Sequence, residues 1–372
     1  MLINKKWLSL FACFLLSGCW DQRFLKDVKL VQGISIDYSI EHKYELSVAL
    51  QKTEKVTSMK SLPVLTENGY TLREAKLKIN KRVSGDVDTS GNKVILINEN
   101  VARYDVYSPL DVIFRDSHNS FTTKLAITDV SARSVLNTQI ADEPFIGNHI
   151  YKLIRTGESK ANIPKTNIQQ FFTNEFGSAT DGVLPVLTTE KKEGTSVISL
   201  SGAALFNDLK MSGKLDTIHS QVLQLLSGNK GKDFSMTVQV FEGDKNDPKN
   251  YVTFMIRRII RQLEANKTSE TTWYGNVILD IIAEIVEKPN TKIIVKENAE
   301  LFNQSLSAKL TKYALETIEE LQQAHCDALG FGMKIRKQNP NQWDREQWKE
   351  MYHEGDIGAT IHLRVTSEGL LE

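Results

Sequence analysis

The alternation of apolar and polar residues first becomes regular at Val28. Leu30, Val31, Ile34 and Ile36 lead to Asp37; after a polar connection, Leu46, Val48 and Leu50 alternate from Tyr44 onward. Two such runs joined by a short polar link predict a β-hairpin. The period then changes. Across residues 71–83, Leu72, Ala75, Leu77, Ile79 and Val83 share one broad face, and Thr71 with Glu74 forms a capping box, so a helix is expected. The apolar tetrad at 94–97 predicts a buried strand. A helix with proline in its first turn is expected at 109–115, a strand at 124–130, and helices at 131–137, 145–155 and 168–176.

Residues 188–195 are hydrophilic throughout, and a domain boundary is expected there. Beyond it the pattern predicts a strand at 197–206 and an amphipathic helix at 216–226 closed by Ser227-Gly228-Asn229. Segments 235–242, 251–261 and 271–286 are rich in β-branched and aromatic residues and read as strands joined by Gly/Asp/Asn/Pro turns. Residues 298–325 contain neither proline nor glycine, and Leu306, Leu310, Tyr313, Ala314, Ile318 and Leu321 make one apolar stripe, which predicts the longest helix of the chain. Gly330 and Gly332 read as its C-cap and turn. A short helical segment carrying Trp343 and Trp348 follows Pro340, and a strand at 359–365 closes the pattern. Helices and strands mix in both halves without regular βαβ alternation. The expected fold is therefore α+β and multi-domain, with mixed, mainly antiparallel sheets, packed helices and one long helix near the C-terminus. The expected domains are 28–190 and 196–372, the second being one subdomain or two.

The residues before Val28 follow a different logic. Lys5 and Lys6 precede an apolar run at 7–16, about half the roughly 20 residues needed to span a bilayer. The run ends in Leu16-Ser17-Gly18-Cys19, which resembles a lipobox, where the cysteine thiol receives a diacylglyceryl group and the signal is cut before it. Residues 1–18 are thus expected to be a lipoprotein signal peptide, Cys19 the lipidation site, and 19–27 a polar tether. Two acyl chains, at about 0.8 kcal/mol per buried methylene, supply on the order of 20 kcal/mol of gross transfer energy.

Composition narrows the function classes. The 372 residues include 25% charged and 41% hydrophobic side chains, an ordinary globular balance, and the formal net charge is zero. No field of one sign points to nucleic acid. Once the signal is removed, Cys326 remains as the single cysteine besides Cys19, so no intramolecular disulfide is expected. The sequence lacks a Gly-x-Gly-x-x-Gly, a P-loop, a Gly-x-Ser-x-Gly and a His-Glu-x-x-His. His325, Cys326 and Asp327 are adjacent, and neighbouring helical residues point in different directions, so they do not converge on a nucleophile. Trp343 and Trp348 fit core packing better than a partner surface. No catalytic or metal site is expected.

The order of several short segments carries a resemblance. Gly18-Cys19-Trp20-Asp21 is followed by Leu30-Val31-Gln32-Gly33-Ile34-Ser35-Ile36-Asp37, then Lys93–Ile97, Leu200-Ser201-Gly202-Ala203-Ala204-Leu205-Phe206, Asp327-Ala328-Leu329-Gly330-Phe331-Gly332, and Asn339-Pro340-Asn341-Gln342-Trp343 with Trp348. In this arrangement the chain resembles the Ger(x)C family, the C subunits of spore nutrient-germinant receptors. Ser35 departs from the family's usual second glycine, and Phe24 from its usual acidic residue. The resemblance implies a multi-domain α+β fold without known enzymatic activity. It also implies a lipid anchor on the outer face of the spore inner membrane, assembly with multi-pass A and B subunits, and a part in nutrient-triggered germination. It singles out Trp20, Asp21, Gly33, Asp37, Gly202, Asp327, Gly330, Gly332 and Trp343 as family-motif positions. Competing readings are a lipid-anchored solute-binding protein of a transporter, expected to show two lobes around a cleft, and a lipoprotein enzyme such as a wall hydrolase.

Overall fold

A computed structural model describes residues 28–51, 64–115, 120–140, 143–177, 180–240, 244, 246–269, 271–288 and 295–367. Residues 1–18, expected to be a signal peptide, and Cys19, Trp20 and Asp21 lie outside the described residues.

The chain builds two sheets. The first uses β1 (Val28–Tyr38), β2 (Tyr44–Leu50), β3 (Val64–Gly69), β4 (Asp86–Asp88), β5 (Val94–Asn98), β6 (Lys124–Thr128), β7 (Val183–Lys192), β8 (Thr195–Asn207) and β9 (Lys210–Leu215). Its order is β3-β2-β1-β5-β6-β7-β8-β9, with β4 beside the start of β1. The β1–β2 hairpin is antiparallel, as its alternation predicts. The centre is parallel, β1 to β5 to β6 to β7, because helices carry the chain back between these strands.

Period-2 alternation divides the centre between two cores. Ile95 and Ile97 face a cluster with the helices Leu72–Asn80, Glu99–Tyr104, Tyr107–Arg115 and Ile168–Gly177. Val94 and Leu96 face the opposite side, under the helices Ala132–Leu136 and Ile146–Ser159. Both sheet faces are covered, which explains why the β5 tetrad is apolar without a break. The expected Thr71 cap is present: its side chain accepts from Glu74 N, while the Glu74 carboxylate accepts from Tyr70 N at 2.8 Å.

The second sheet is β10 (Ser235–Gln239), β11 (Tyr251–Lys267), β12 (Trp273–Glu287) and β13 (Asp356–Ser367), in that order. β11 and β12 form a long antiparallel hairpin, and β13 joins β12 in parallel. The helix Val295–Gln323 lays its predicted stripe on this sheet; Leu306, Leu310, Ala314, Ile318 and Leu321 are buried in a core shared with the helix Thr217–Leu226. Among the described residues, no helix is long and apolar enough to cross a membrane.

One expectation needs correction, at Gly330, and the hydrophilic segment has a definite shape: residues 188–195 form the tip of the β7–β8 hairpin, turning at Glu193 and Gly194 with Lys192 paired to Thr195. The tip is hydrophilic because it projects beyond both cores, and the first sheet runs on to Leu215. Ala203, Leu205 and Leu215 from that sheet enter the core of the second one. Gly330 is not the C-cap of the long helix. That helix ends at Gln323, with His325 at φ +50°, and Gly330, at φ +83°, opens a separate helix Phe331–Gln338.

Candidate functional site

Four family-motif residues of the C-terminal half, Asp327, Gly330, Gly332 and Trp343, gather around one buried carboxylate. Asp327 is 1% exposed. Its Oδ1 accepts from Gly330 N at 2.9 Å and Phe331 N at 3.0 Å; its Oδ2 accepts from Gly332 N at 2.6 Å and from Trp348 Nε1 at 3.2 Å. The carboxylate thus satisfies the orphan N–H groups at the start of the helix Phe331–Gln338, where Gly330 supplies no side chain to do so. Gly332 is required by packing: a Cβ there would stand 2.5 Å from Trp348 Nε1 and 2.9 Å from Trp343 Cη2. Trp348 is buried, 4.7 Å from the Trp273 ring and 6.0 Å from that of half-buried Trp343. Trp273 stacks on Tyr352 and donates to Met351 O at 2.9 Å. Trp348 is therefore core, and Trp343 packs against it.

This centre also clasps the two halves of the chain. Asp327 N donates to Asp181 Oδ2 at 2.7 Å, and Asp181 N returns a bond to Asp327 O at 3.2 Å. Arg345 donates from Nη1 to Glu175 O, and its Nη2 stands 3.7 Å from Asp181 Oδ1. The Glu175 carboxylate accepts from Gly182 N at 2.7 Å and Leu209 N at 3.1 Å. Arg261, which donates to Leu226 O and Leu329 O, adds positive charge near Asp327. Burial is the main influence on all three acids. It pushes Glu175 up to about 7, Asp181 to about 6 and Asp327 to about 7, against the backbone N–H donors that favour the charged form.

The chemistry available here is structural. Every oxygen of Asp327 and Glu175 is occupied by N–H groups, and neither carboxylate faces an open cleft. Cys326 is fully buried, its thiol raised well above the ordinary range by burial, with Gly182 O at 3.9 Å. It is not an activated nucleophile. Among the described residues, no three His, Cys, Asp or Glu side chains form a metal-holding group. Cavities of about 30 Å³ beside Trp343 and about 50 Å³ lined by Ile34, Val48 and Val87 have room for a few water molecules.

The other motif residues lie elsewhere. Asp37 reaches from β1 to cap the helix Ala132–Leu136, accepting from Ala132 N at 2.9 Å and Arg133 N at 2.8 Å. Gly33 sits at a bulge in β1 next to Leu136 and Gly147. Gly202 is at φ +141° in β8, where a Cβ would meet Leu215 O at 2.0 Å. Sequence reasoning missed Glu175, Asp181, Arg345 and Trp273. Isolated acids, one arginine and a tryptophan carry no local signal: Asp181, Arg345 and Trp273 meet partners 78 to 170 residues away, and the Glu175 carboxylate binds backbone N–H groups, which no side-chain pattern records.

The family described as "Spore germination protein N-terminal domain" matches residues 21–189, and "Spore germination B3/ GerAC like, C-terminal" matches residues 201–369. The chain belongs to the Ger(x)C family, the C subunits of spore germinant receptors. It is 26% identical to spore germination protein GerQC of Bacillus cereus, over 99% of this chain and 100% of that one. It is 22% identical to the putative spore germination protein YfkR of Bacillus subtilis (strain 168), over 99% and 97%. The crystal structure of the GerBC protein shares the fold, with a TM-score of 0.55 and 18% identity over 90% of this chain and 96% of that one.

Proposed function

We propose that this Ger(x)C subunit is a non-catalytic, lipid-anchored part of its receptor. A diacylglyceryl group on Cys19 holds it on the outer face of the spore inner membrane, where it docks on the multi-pass A and B subunits. The observation that carries the reading is the lipobox, Leu16-Ser17-Gly18-Cys19, placed immediately before residue 21, where the family match begins. A body held at the bilayer meets an integral-membrane partner at high effective concentration, so a modest interface suffices. The buried acid clasp supports a structural role for the body, since its carboxylates are consumed in capping a helix and joining the two halves.

The test is Cys19→Ala in sporulating cells. Loss of the protein from the spore membrane fraction, together with loss of the nutrient response, is expected. Full membrane retention with a normal response contradicts the anchor.

A further inference from the structure

Five aromatic rings form a continuous row on the first half of the molecule. Tyr107 meets Phe176 at 6.0 Å, Phe176 stacks on Phe172 at 5.6 Å, Phe172 meets Phe114 at 5.0 Å, and Phe114 meets Phe121 at 5.3 Å. Phe172 is buried and roots the row in the core. The other four are open to solvent: Tyr107 is 40% exposed, Phe114 46%, Phe121 45% and Phe176 59%. At roughly 200 Å² per aromatic side chain, they present about 400 Å² of ring surface. That is as large as the largest apolar patch of an ordinary monomer, which is often functional.

The topology fixes where this row lies. Gly33, Val94 and Lys124 are level across the parallel strands β1, β5 and β6. Phe121 stands three residues ahead of Lys124, just beyond the starting ends of these strands. The helix Ile168–Gly177 begins at the same end, with Ile168 N donating to Thr123 O and Gln169 N to Phe121 O. The helix Tyr107–Arg115 is pinned there by Val106 N donating to Leu209 O, in the turn joining β8 to β9. That turn lies past Val183, the first residue of β7, which pairs with Leu205. The row therefore runs along the end of the sheet from which β1, β5, β6 and β7 all start.

Val28 is at that end too, five residues before Gly33 and about 17 Å further out. Cys19 precedes Val28 by nine residues, a chain length that reaches at most about 30 Å. A lipid on Cys19 thus keeps this end of the sheet within about 30 Å of the bilayer, whereas the opposite end of β1 is about 33 Å further along the strand from Val28. Exposed Phe and Tyr rings, with an apolar body and in Tyr107 a polar tip, suit the headgroup level of a membrane.

We propose that the aromatic row is a bilayer-contacting surface: Tyr107, Phe114, Phe121 and Phe176 rest at the phospholipid headgroup level and set the orientation of the tethered body. The inference rests on the Cys19 anchor proposed above, and the test separates the two. The full chain, produced in a cell that processes lipoproteins, carries a nitroxide at Phe121→Cys or, for reference, at Lys192→Cys at the far end of β7. Cys326 is buried and does not take the label. The protein is placed in phosphatidylglycerol–phosphatidylethanolamine vesicles, and the N-terminal peptide of the same sample is weighed. The label at 121 is expected to collide several-fold more with oxygen than with a water-soluble nickel chelate, and the label at 192 to show the reverse. Equal behaviour of the two labels with a diacylated Cys19 overturns the membrane surface while keeping the anchor. An unmodified Cys19, with the 121 label still in the interface when Cys19→Ala keeps the label off that free thiol, retires the anchor and keeps the surface. A 121 label that is wet in vesicles, and covered only when the receptor's membrane subunits are present, assigns the row to a protein partner instead and overturns the proposal.

Discussion

Asp327→Asn tests the buried clasp most sharply, because it changes one atom of a group whose four partners are known. The wild-type carboxylate accepts two N–H groups on Oδ1 and two on Oδ2, at 2.6 to 3.2 Å. Asparagine keeps one oxygen. With that oxygen toward Gly330 and Phe331, its amide nitrogen faces the N–H of Gly332 and the indole N–H of Trp348, donor against donor. Two buried donors then lose their acceptor at about 1–3 kcal/mol each. At pH 8, where the group is charged, removing that buried charge offsets part of this, leaving an expected loss of about 2–4 kcal/mol. The assay is urea unfolding followed by tryptophan fluorescence, since Trp348 touches the altered group. The pH dependence has a definite sign. Burial raises Asp327 from its ordinary 3.8 to about 7, so its contribution is fully present below about pH 4 and is lost as pH rises through about 7. The variant lacks that titration, so the gap between the two proteins should be wider at pH 5 than at pH 8. An unchanged midpoint refutes the role of the clasp. A gap that widens toward pH 8 refutes the claim that burial outweighs the four donors.

Glu175 and Asp181 are shifted in the same direction, to about 7 and about 6, so their contribution to stability should fall from pH 5 to pH 8. Glu175→Gln should flatten that fall in a urea-midpoint series, and an identical slope would exclude Glu175 as a source. Gly330→Val places a β-branched residue at φ +83°, with its Cβ 3.1 Å from Thr180 Cγ2; a loss of about 1–2 kcal/mol is expected, and an unchanged unfolding midpoint rejects it. Lys124 and Glu158 form a buried ion pair at 2.7 Å. Lys124→Met leaves Glu158 uncompensated and should cost about 3–5 kcal/mol, most of it recovered by adding Glu158→Gln; a double variant as unstable as the single one argues that the lysine's packing matters instead of its charge.

Local signals explain which parts were legible in the sequence. The β1–β2 hairpin, the Thr71-capped helix and the β5 tetrad each carry a complete pattern within one short continuous segment, and each forms where expected. The long C-terminal helix does so as well, its stripe buried to Leu321. Elements with weak periodicity were missed. β3 is half polar along its length, β9 is short with Gly213 inside it, and the helix Phe331–Gln338 begins at two glycines that mimic a turn. The hydrophilic run at 188–195 does not by itself reveal the β7–β8 hairpin tip it forms, because a projecting turn and a domain boundary both need solvated residues. At the clasp, the motif carried Asp327, Gly330, Gly332 and Trp343. Asp181 depends on a contact 146 residues away and Glu175 on backbone N–H groups brought to it by folding, and no local pattern records either. The aromatic row was invisible for the same reason: its rings come from two helices and a loop, and each alone resembles core.

The central claim is that this chain works as a lipid-held subunit of a multi-protein receptor. It is tested most directly by recovering a tagged copy from spore membranes, identifying what co-purifies, and weighing the N-terminal peptide. The account predicts two multi-pass proteins together with a diacylated peptide beginning at Cys19. A protein recovered alone, or with an unmodified Cys19, would contradict it.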